Sequence, residues 1–487
     1  MTPLPARSDC YALLDDASGD GSSRSRLYTG FMRELRCEDP AQLTATWEQA
    51  EAAMREGAHA VLLADYEWGV RLQGLPVPAD APQALRIALF SACARLSRSE
   101  VDAWLAMMDA LAPAAAVAGM PAGSASGIHN VRRSVTPAQF DHAIANIQSA
   151  LRAGDTYQIN YTYRLDFEAS GTPLALYRRL RARQPVPYGA LIALPHDPET
   201  PYILSLSPEL FLRHAQGRLT ARPMKGTARR TGQPDEDART ARALASDPKN
   251  RAENLMIVDL LRNDLGRIAT TGSVKVPALF SVEPYAGVFQ MTSTVEAELP
   301  ARTTLPELLH ALFPCGSITG APKHHTMELI AGLESTPRGL YTGMIGWIDT
   351  PSAGSAQACG DFCLSVAIRT VTLGHPAHGM HGLRPGRMGV GAGIVLDSVA
   401  ADEYEECALK ARFLTALETP APHACNPHGA QSGTHFRIDP AQATAAATVA
   451  ADSRTHVLAT GLVAGPVSYE SPNDGYDMAA RYDAVLH

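Results

Sequence analysis

Lysine is nearly absent from this chain. Of its 42 basic residues only five are lysines: Lys225, Lys249, Lys275, Lys323 and Lys410. Arginine fills the general cation positions, so the remaining lysines are enriched for places where a guanidinium cannot serve. One such place calls for a neutral amine, because lysine sheds its proton when desolvated and arginine effectively cannot. A basic excess is also missing. The net charge is -8, which argues against a nucleic-acid partner. No apolar run reaches the length that spans a bilayer, so no membrane association is expected. The stretch 1–10 lacks the apolar core of a secretory leader. The eight cysteines are scattered without zinc-like pairs, and the nearest two are Cys359 and Cys363. Free thiols suit a reducing compartment, and the expectation is a cytoplasmic protein.

What is present is the composition of an ordinary folded protein, 46% hydrophobic and 19% charged over 487 residues. Length alone allows two or three domains. An N-terminal segment, 1–112, mixes a helical pattern over 44–56 with a buried strand over 61–64. A run rich in Ala, Gly and Pro over 113–127 reads as a linker or loop. A helix is predicted to start at Thr136 with Pro137 in its first turn. Phe140, Ile144, Ile147 and Leu151 form its apolar stripe, and Gly154 ends it. Strands are predicted over 157–167, 202–206, 343–348, 363–371 and 390–395. They come in runs, which favours α+β with mostly antiparallel sheets. The segment 128–418 then forms one catalytic unit, and 419–487 is a tail to which no role is assigned.

Lys225 sits in Pro223-Met224-Lys225-Gly226-Thr227, behind the strand-like 219–222. Beside Gly226 it reads as a side chain presented from a tight backbone. Alone, this run is open between a neutral amine, an anchor for a phosphate or carboxylate, and a surface lysine. Further runs accompany it: Ser207-Pro208-Glu209, Glu253-Asn254-Leu255-Met256, Gly316-Ser317-Ile318-Thr319-Gly320-Ala321-Pro322-Lys323, Ile368-Arg369-Thr370, Gly391-Ala392-Gly393-Ile394 and Glu403-Tyr404-Glu405-Glu406. In this order the set resembles the chorismate-utilising enzymes, which include the anthranilate, aminodeoxychorismate, isochorismate and salicylate synthases. The resemblance is dense over 136–414, weaker over 11–112, and absent beyond about residue 418. It implies the fold of anthranilate synthase component I.

Pro248 to Gly266 reads as a helix, with Leu255, Ile257, Val258, Leu261 and Leu265 apolar. A second helix, capped by Asp397 or Ser398, runs to about residue 418. On it Glu403 and Glu406 share a face, with Lys410 one turn further. By themselves these are a salt-bridged surface stripe. The resemblance implies instead that Glu253 and Glu406 hold Mg²⁺, with Glu403 contributing through water. Carboxylates and retained waters suit that ion, which neutralises and orients a substrate carboxylate. Chorismate carries two carboxylates. The resemblance assigns them to Tyr341, Arg369 and the backbone of Gly391, Ala392 and Gly393, with Thr319 and Gly320 in the same pocket. Gly389 to Gly393 has the wrong spacing for a dinucleotide loop and runs on as a strand. His375, His378 and His381 fall in a Pro/Gly-rich loop and read as a solvated connection rather than a metal cluster.

Two positions separate family members. Isochorismate-type relatives place a water-activating lysine where this chain has Gln158, which cannot act as a base. Anthranilate synthases typically have alanine where this chain has Lys225. The resemblance therefore implies a covalent route: Lys225 adds to C2 of chorismate as the C4 hydroxyl leaves, assisted by Glu209 as general acid. Ammonia, supplied from glutamine by a partner amidotransferase subunit, then gives 4-amino-4-deoxychorismate. The alternatives are anthranilate synthesis and a catalytically silent regulatory relative. Gln290 stands where anthranilate synthases carry histidine, and Cys315 where glycine is usual.

Overall fold

The computed structural model describes residues 10–18, 24–111, 126–285, 287–376 and 382–419, all within one unit. The 113–127 run falls mostly outside them, as do nearly all of the 419–487 tail and, with them, His378 and His381. Among the described residues, eighteen strands form one hydrogen-bonded sheet, with every named strand pairing antiparallel, and ten α-helices flank it. This is the expected α+β class.

The strand Gln158–Ser170 organises the site. Along its whole length it pairs with Arg384–Ile394, from Ile159↔Ile394 to Ala169↔Arg384. Elsewhere it takes Gly127–Arg133 and the short Gly320–Ala321. The N-terminal segment is tied in by hydrogen bonds as well. Tyr11–Asp15 pairs with Tyr188–Ala193, and His59–Ala64 with Met344–Ile348.

Helix Pro137–Ala153 shows why its sequence folds locally. Thr136 and Gln139 form a reciprocal capping box, Pro137 occupies the first turn, and Gly154 closes the helix at φ +81°. Phe140, Ile144 and Ile147 are buried against Tyr161 and Tyr163 in one apolar core. Helix Ala400–Thr415 belongs to that core through Cys407, Ala411, Phe413 and Leu414. A second core gathers Trp47, Trp68, Phe211, Phe313 and Phe362 around helix Pro248–Gly266. The two helices that carry the acidic residues of interest are thus anchored in different cores.

Two local expectations are corrected. The strand expected over 363–371 is two strands, Phe362–Val366 and Thr370–Leu373. The break falls at Arg369, whose φ is +50°, a left-handed conformation that no regular strand accommodates. Neither Asp397 nor Ser398 caps the last helix. Its N-cap is Val399, whose apolar side chain cannot cap, while the Ser398 hydroxyl accepts from Val395 N at 3.1 Å and donates to Glu403 Oε1 at 2.7 Å.

Candidate active site

Lys225 lies in the strand Met224–Arg229, whose register against Val288–Glu298 slips between Met224 and Thr227. Gly226 takes φ +81° there, so the extra residue is absorbed at a bulge, a device that re-aims a side chain. The lysine reaches a cavity of about 740 Å³ whose wall includes Glu209, Glu253, Tyr341, Arg369, Glu403 and Glu406. Gly391 and Gly393 also line it, and sequence reasoning missed Asn160, Ser317 and Asp402. Lys249 and Lys410 complete the wall. Three of the five lysines therefore face one cavity. A larger cavity of 940 Å³ is lined by Asp15, Arg26, Tyr188, Arg213 and Trp347. It contains none of the residues expected to act, so the smaller one is the candidate site.

Four expected residues stand behind the wall. Ala392 is buried in the apolar core. Thr319 is fully buried, its hydroxyl donating to the carbonyls of Cys315 and Gly316. Gly320 pairs with Ile159, and a Cβ there would lie 2.0 Å from the Gln158 carbonyl oxygen. Gln158 is buried with neither amide atom hydrogen-bonded, an orphan of the kind that marks a functional position. A Cβ on Gly393 would sit 2.3 Å from Gln158 Nε2 and 3.0 Å from Lys225 Nζ. Glycine is required there for both side chains to approach the strand. Gly389 plays the same part for Tyr341, whose Cδ1 would lie 2.1 Å from a Cβ. Pairing with Thr370–Leu373 ends at Val371↔Met388, so no strand covers that edge of the glycine stretch beyond Met388.

Burial dominates the electrostatics. It lowers the Lys225 pKa, opposed by Glu253. It raises that of Glu209, opposed by a hydrogen bond from Ser317. It also raises Glu253 and Glu403. Arg369 is pushed down to about 10 by desolvation, and no carboxylate pairs with it among the described residues. Glu406 is held low by Lys410, whose Nζ stands 2.7 Å from it and also donates to Gly391 O at 3.0 Å. Burial alone would lower Lys410, but Glu406, Cys407 and Tyr341 together more than reverse this.

The acidic wall fits Mg²⁺ in kind: Glu253, Glu403 and Glu406 all face one cavity, and Glu403 and Glu406 each raise the value of Glu253. In distance they are not gathered. Among the described residues no group of three or more His, Cys, Asp or Glu is assembled to hold a metal ion. Of the described histidines, His375 Nε2 meets Asp197 O at 3.0 Å, and the exposed His324 and His325 both face Glu328.

A buried amine, a buried carboxyl and a desolvated guanidinium thus line one cavity. The chain belongs to the chorismate-binding enzymes, whose family model matches residues 10–416. It is 41% identical over 291 residues to aminodeoxychorismate synthase component 1 of Klebsiella aerogenes, covering 59% of this chain and 60% of that protein. It is 37% identical over 313 residues to anthranilate synthase component 1 of Streptomyces coelicolor, covering 63% of this chain and 57% of that protein. The matched stretch thus spans about 60% of the length of such relatives. The crystal structure of anthranilate synthase component I from Streptococcus pneumoniae shares the fold, with a TM-score of 0.61 at 23% identity over 85% of this chain and 94% of that one. No helix among the described residues is long and apolar enough to cross a membrane.

Proposed function

We propose that the chain aminates chorismate at C4 to give 4-amino-4-deoxychorismate, as an aminodeoxychorismate synthase component 1. The observation that carries this reading is the Lys225 amine, desolvated and aimed into the same cavity as Glu209. Neutral Lys225 adds to C2, and the C4–O bond breaks as Glu209 passes a proton to the departing hydroxyl, which leaves as water. Ammonia then attacks C4 while the lysine–C2 bond breaks, returning the amine. Arg369 and the open strand edge at Gly391 and Gly393 hold the substrate carboxylates; Tyr341 flanks them. Gln158, beside Lys225 but behind the cavity wall, cannot activate water.

Glu253 and Glu406 would hold Mg²⁺, with Glu403 reaching it through water; the ion would neutralise and orient a substrate carboxylate. No cysteine among the described residues sits in the cavity wall, so glutamine chemistry is assigned to a partner amidotransferase that supplies ammonia. The reaction places the chain in soluble cytoplasmic metabolism. The test is product identification from chorismate, Mg²⁺ and ammonium by purified chain. A 4-amino product supports the reading, and anthranilate or isochorismate overturns it.

A further inference from the structure

Glu209 is held from one side. Its carboxyl is buried, and among the described residues one hydrogen bond reaches it: Ser317 Oγ donates to Oε1 at 2.7 Å. Ser317 has a single hydroxyl hydrogen. Its 3.2 Å contact with Cys315 Sγ is therefore made with the thiol as donor. Cys315 is buried, and burial pushes its thiol up to about 12, so it keeps its proton. The turn that carries both residues is stiff. Thr319 Oγ1 binds the carbonyls of Cys315 and Gly316 at 3.2 Å each, and a Cβ on Gly316 would meet Leu260 Cδ2 at 2.6 Å. The turn is thus pressed against helix Pro248–Gly266, the element that carries Glu253.

We infer that Ser317, backed by the Cys315 thiol, is a positioning residue for Glu209: it occupies Oε1 and leaves Oε2 to present the transferable proton to the cavity. This rests on the amination reading above. A protonated carboxyl can carry its hydrogen on either oxygen, and a hydroxyl donor at Oε1 makes that oxygen the acceptor. As the C4–O bond breaks, the Oε2 proton moves to the departing oxygen, and the Ser317 hydrogen bond strengthens onto the carboxylate left behind.

The test is ammonium-dependent amination of chorismate with Mg²⁺, followed across pH for wild type, Ser317→Ala, Ser317→Thr and Cys315→Ala. Ser317→Ala should lower kcat about 10- to 100-fold with KM for chorismate nearly unchanged. The lost hydrogen bond favours the charged carboxylate, so the Glu209 pKa rises and the alkaline limb of kcat moves to higher pH. Ser317→Thr should restore most of the rate, and Cys315→Ala should show the same shift with a smaller loss of about threefold. Wild-type kcat and an unmoved limb in Ser317→Ala, or a loss carried wholly by KM, overturns the inference. Should Ser317→Ala not fold, an unmoved limb and full kcat in Cys315→Ala overturn it. A wild-type chain that makes no amino product overturns the functional reading and this inference with it. An active wild type with an unaffected Ser317→Ala overturns the inference alone.

Discussion

Two clusters of buried charge meet at strand Gln158–Ser170 and are built on opposite rules. In the first, Glu334 binds Arg164 Nη2 at 3.2 Å and Arg338 Nη2 at 2.7 Å, and also accepts from Thr162 N and Oγ1. Arg164 donates further to the carbonyls of Tyr163 and Pro337, and Arg338 to those of Asn160 and Ile318. In the second, Lys225 and Glu253 make no hydrogen bond among the described residues, and Glu209 accepts only one at its carboxyl. Permanent charges with filled valences build scaffold. Titratable charges left with open valences await a ligand. Asn160 and Tyr341 join the two: Arg338 grips the Asn160 carbonyl, and Arg164 lies 5.2 Å from the centre of the Tyr341 ring.

The largest expected effect breaks the second cluster. Lys225→Ala and Lys225→Arg should each lose about 10³-fold or more in amination rate, since neither supplies a neutral amine. Folding stability should hold or rise in Lys225→Ala, because a buried amine without a hydrogen-bond partner among the described residues is removed. The first cluster should respond in reverse. Glu334→Ala strands two buried guanidinium groups and should cost about 3–5 kcal/mol in urea unfolding. A smaller loss there would erase the contrast.

Much of this was legible in the sequence. The capped helix at Pro137, the acidic helices and the bulged presentation of Lys225 follow from local signals: cap residues, periodicity, and a glycine beside a scarce lysine. The Arg164–Glu334–Arg338 cluster was not, because Arg164 is distant in the chain from the neighbouring Glu334 and Arg338, and nothing local distinguishes a buried arginine from a solvated one. The Arg369 kink was hidden for a similar reason. Its flanking residues alternate as a strand, and only tertiary packing imposes the left-handed φ. Thr319, Gly320 and Ala392 share motifs with cavity residues, yet strand alternation and a tight turn place them behind the wall.

A moderate effect tests the electrostatics. Glu253 attracts the proton on Lys225 and so opposes the depression that burial causes. Lys225 acts when neutral, so the rate rises with pH until the amine is deprotonated, at a pH below the ordinary lysine value of about 10.4. Glu253→Gln should move that acidic limb to still lower pH while lowering kcat/KM about 10- to 100-fold at limiting Mg²⁺. A limb shifted upward would contradict the assignment. The smallest effect is a control. Lys275 is exposed on strand Lys275–Tyr285, and Lys275→Ala should change stability by no more than about 0.5 kcal/mol and leave amination untouched.

The central claim is that Lys225 bonds covalently to substrate, and mass spectrometry tests it most directly. Protein incubated with chorismate and Mg²⁺ but no ammonia should carry an adduct on the peptide containing Lys225, and added ammonium should discharge it. The adduct should be absent from Lys225→Ala. An adduct that persists without Lys225, or full amination by Lys225→Arg, would show that this lysine only anchors the substrate.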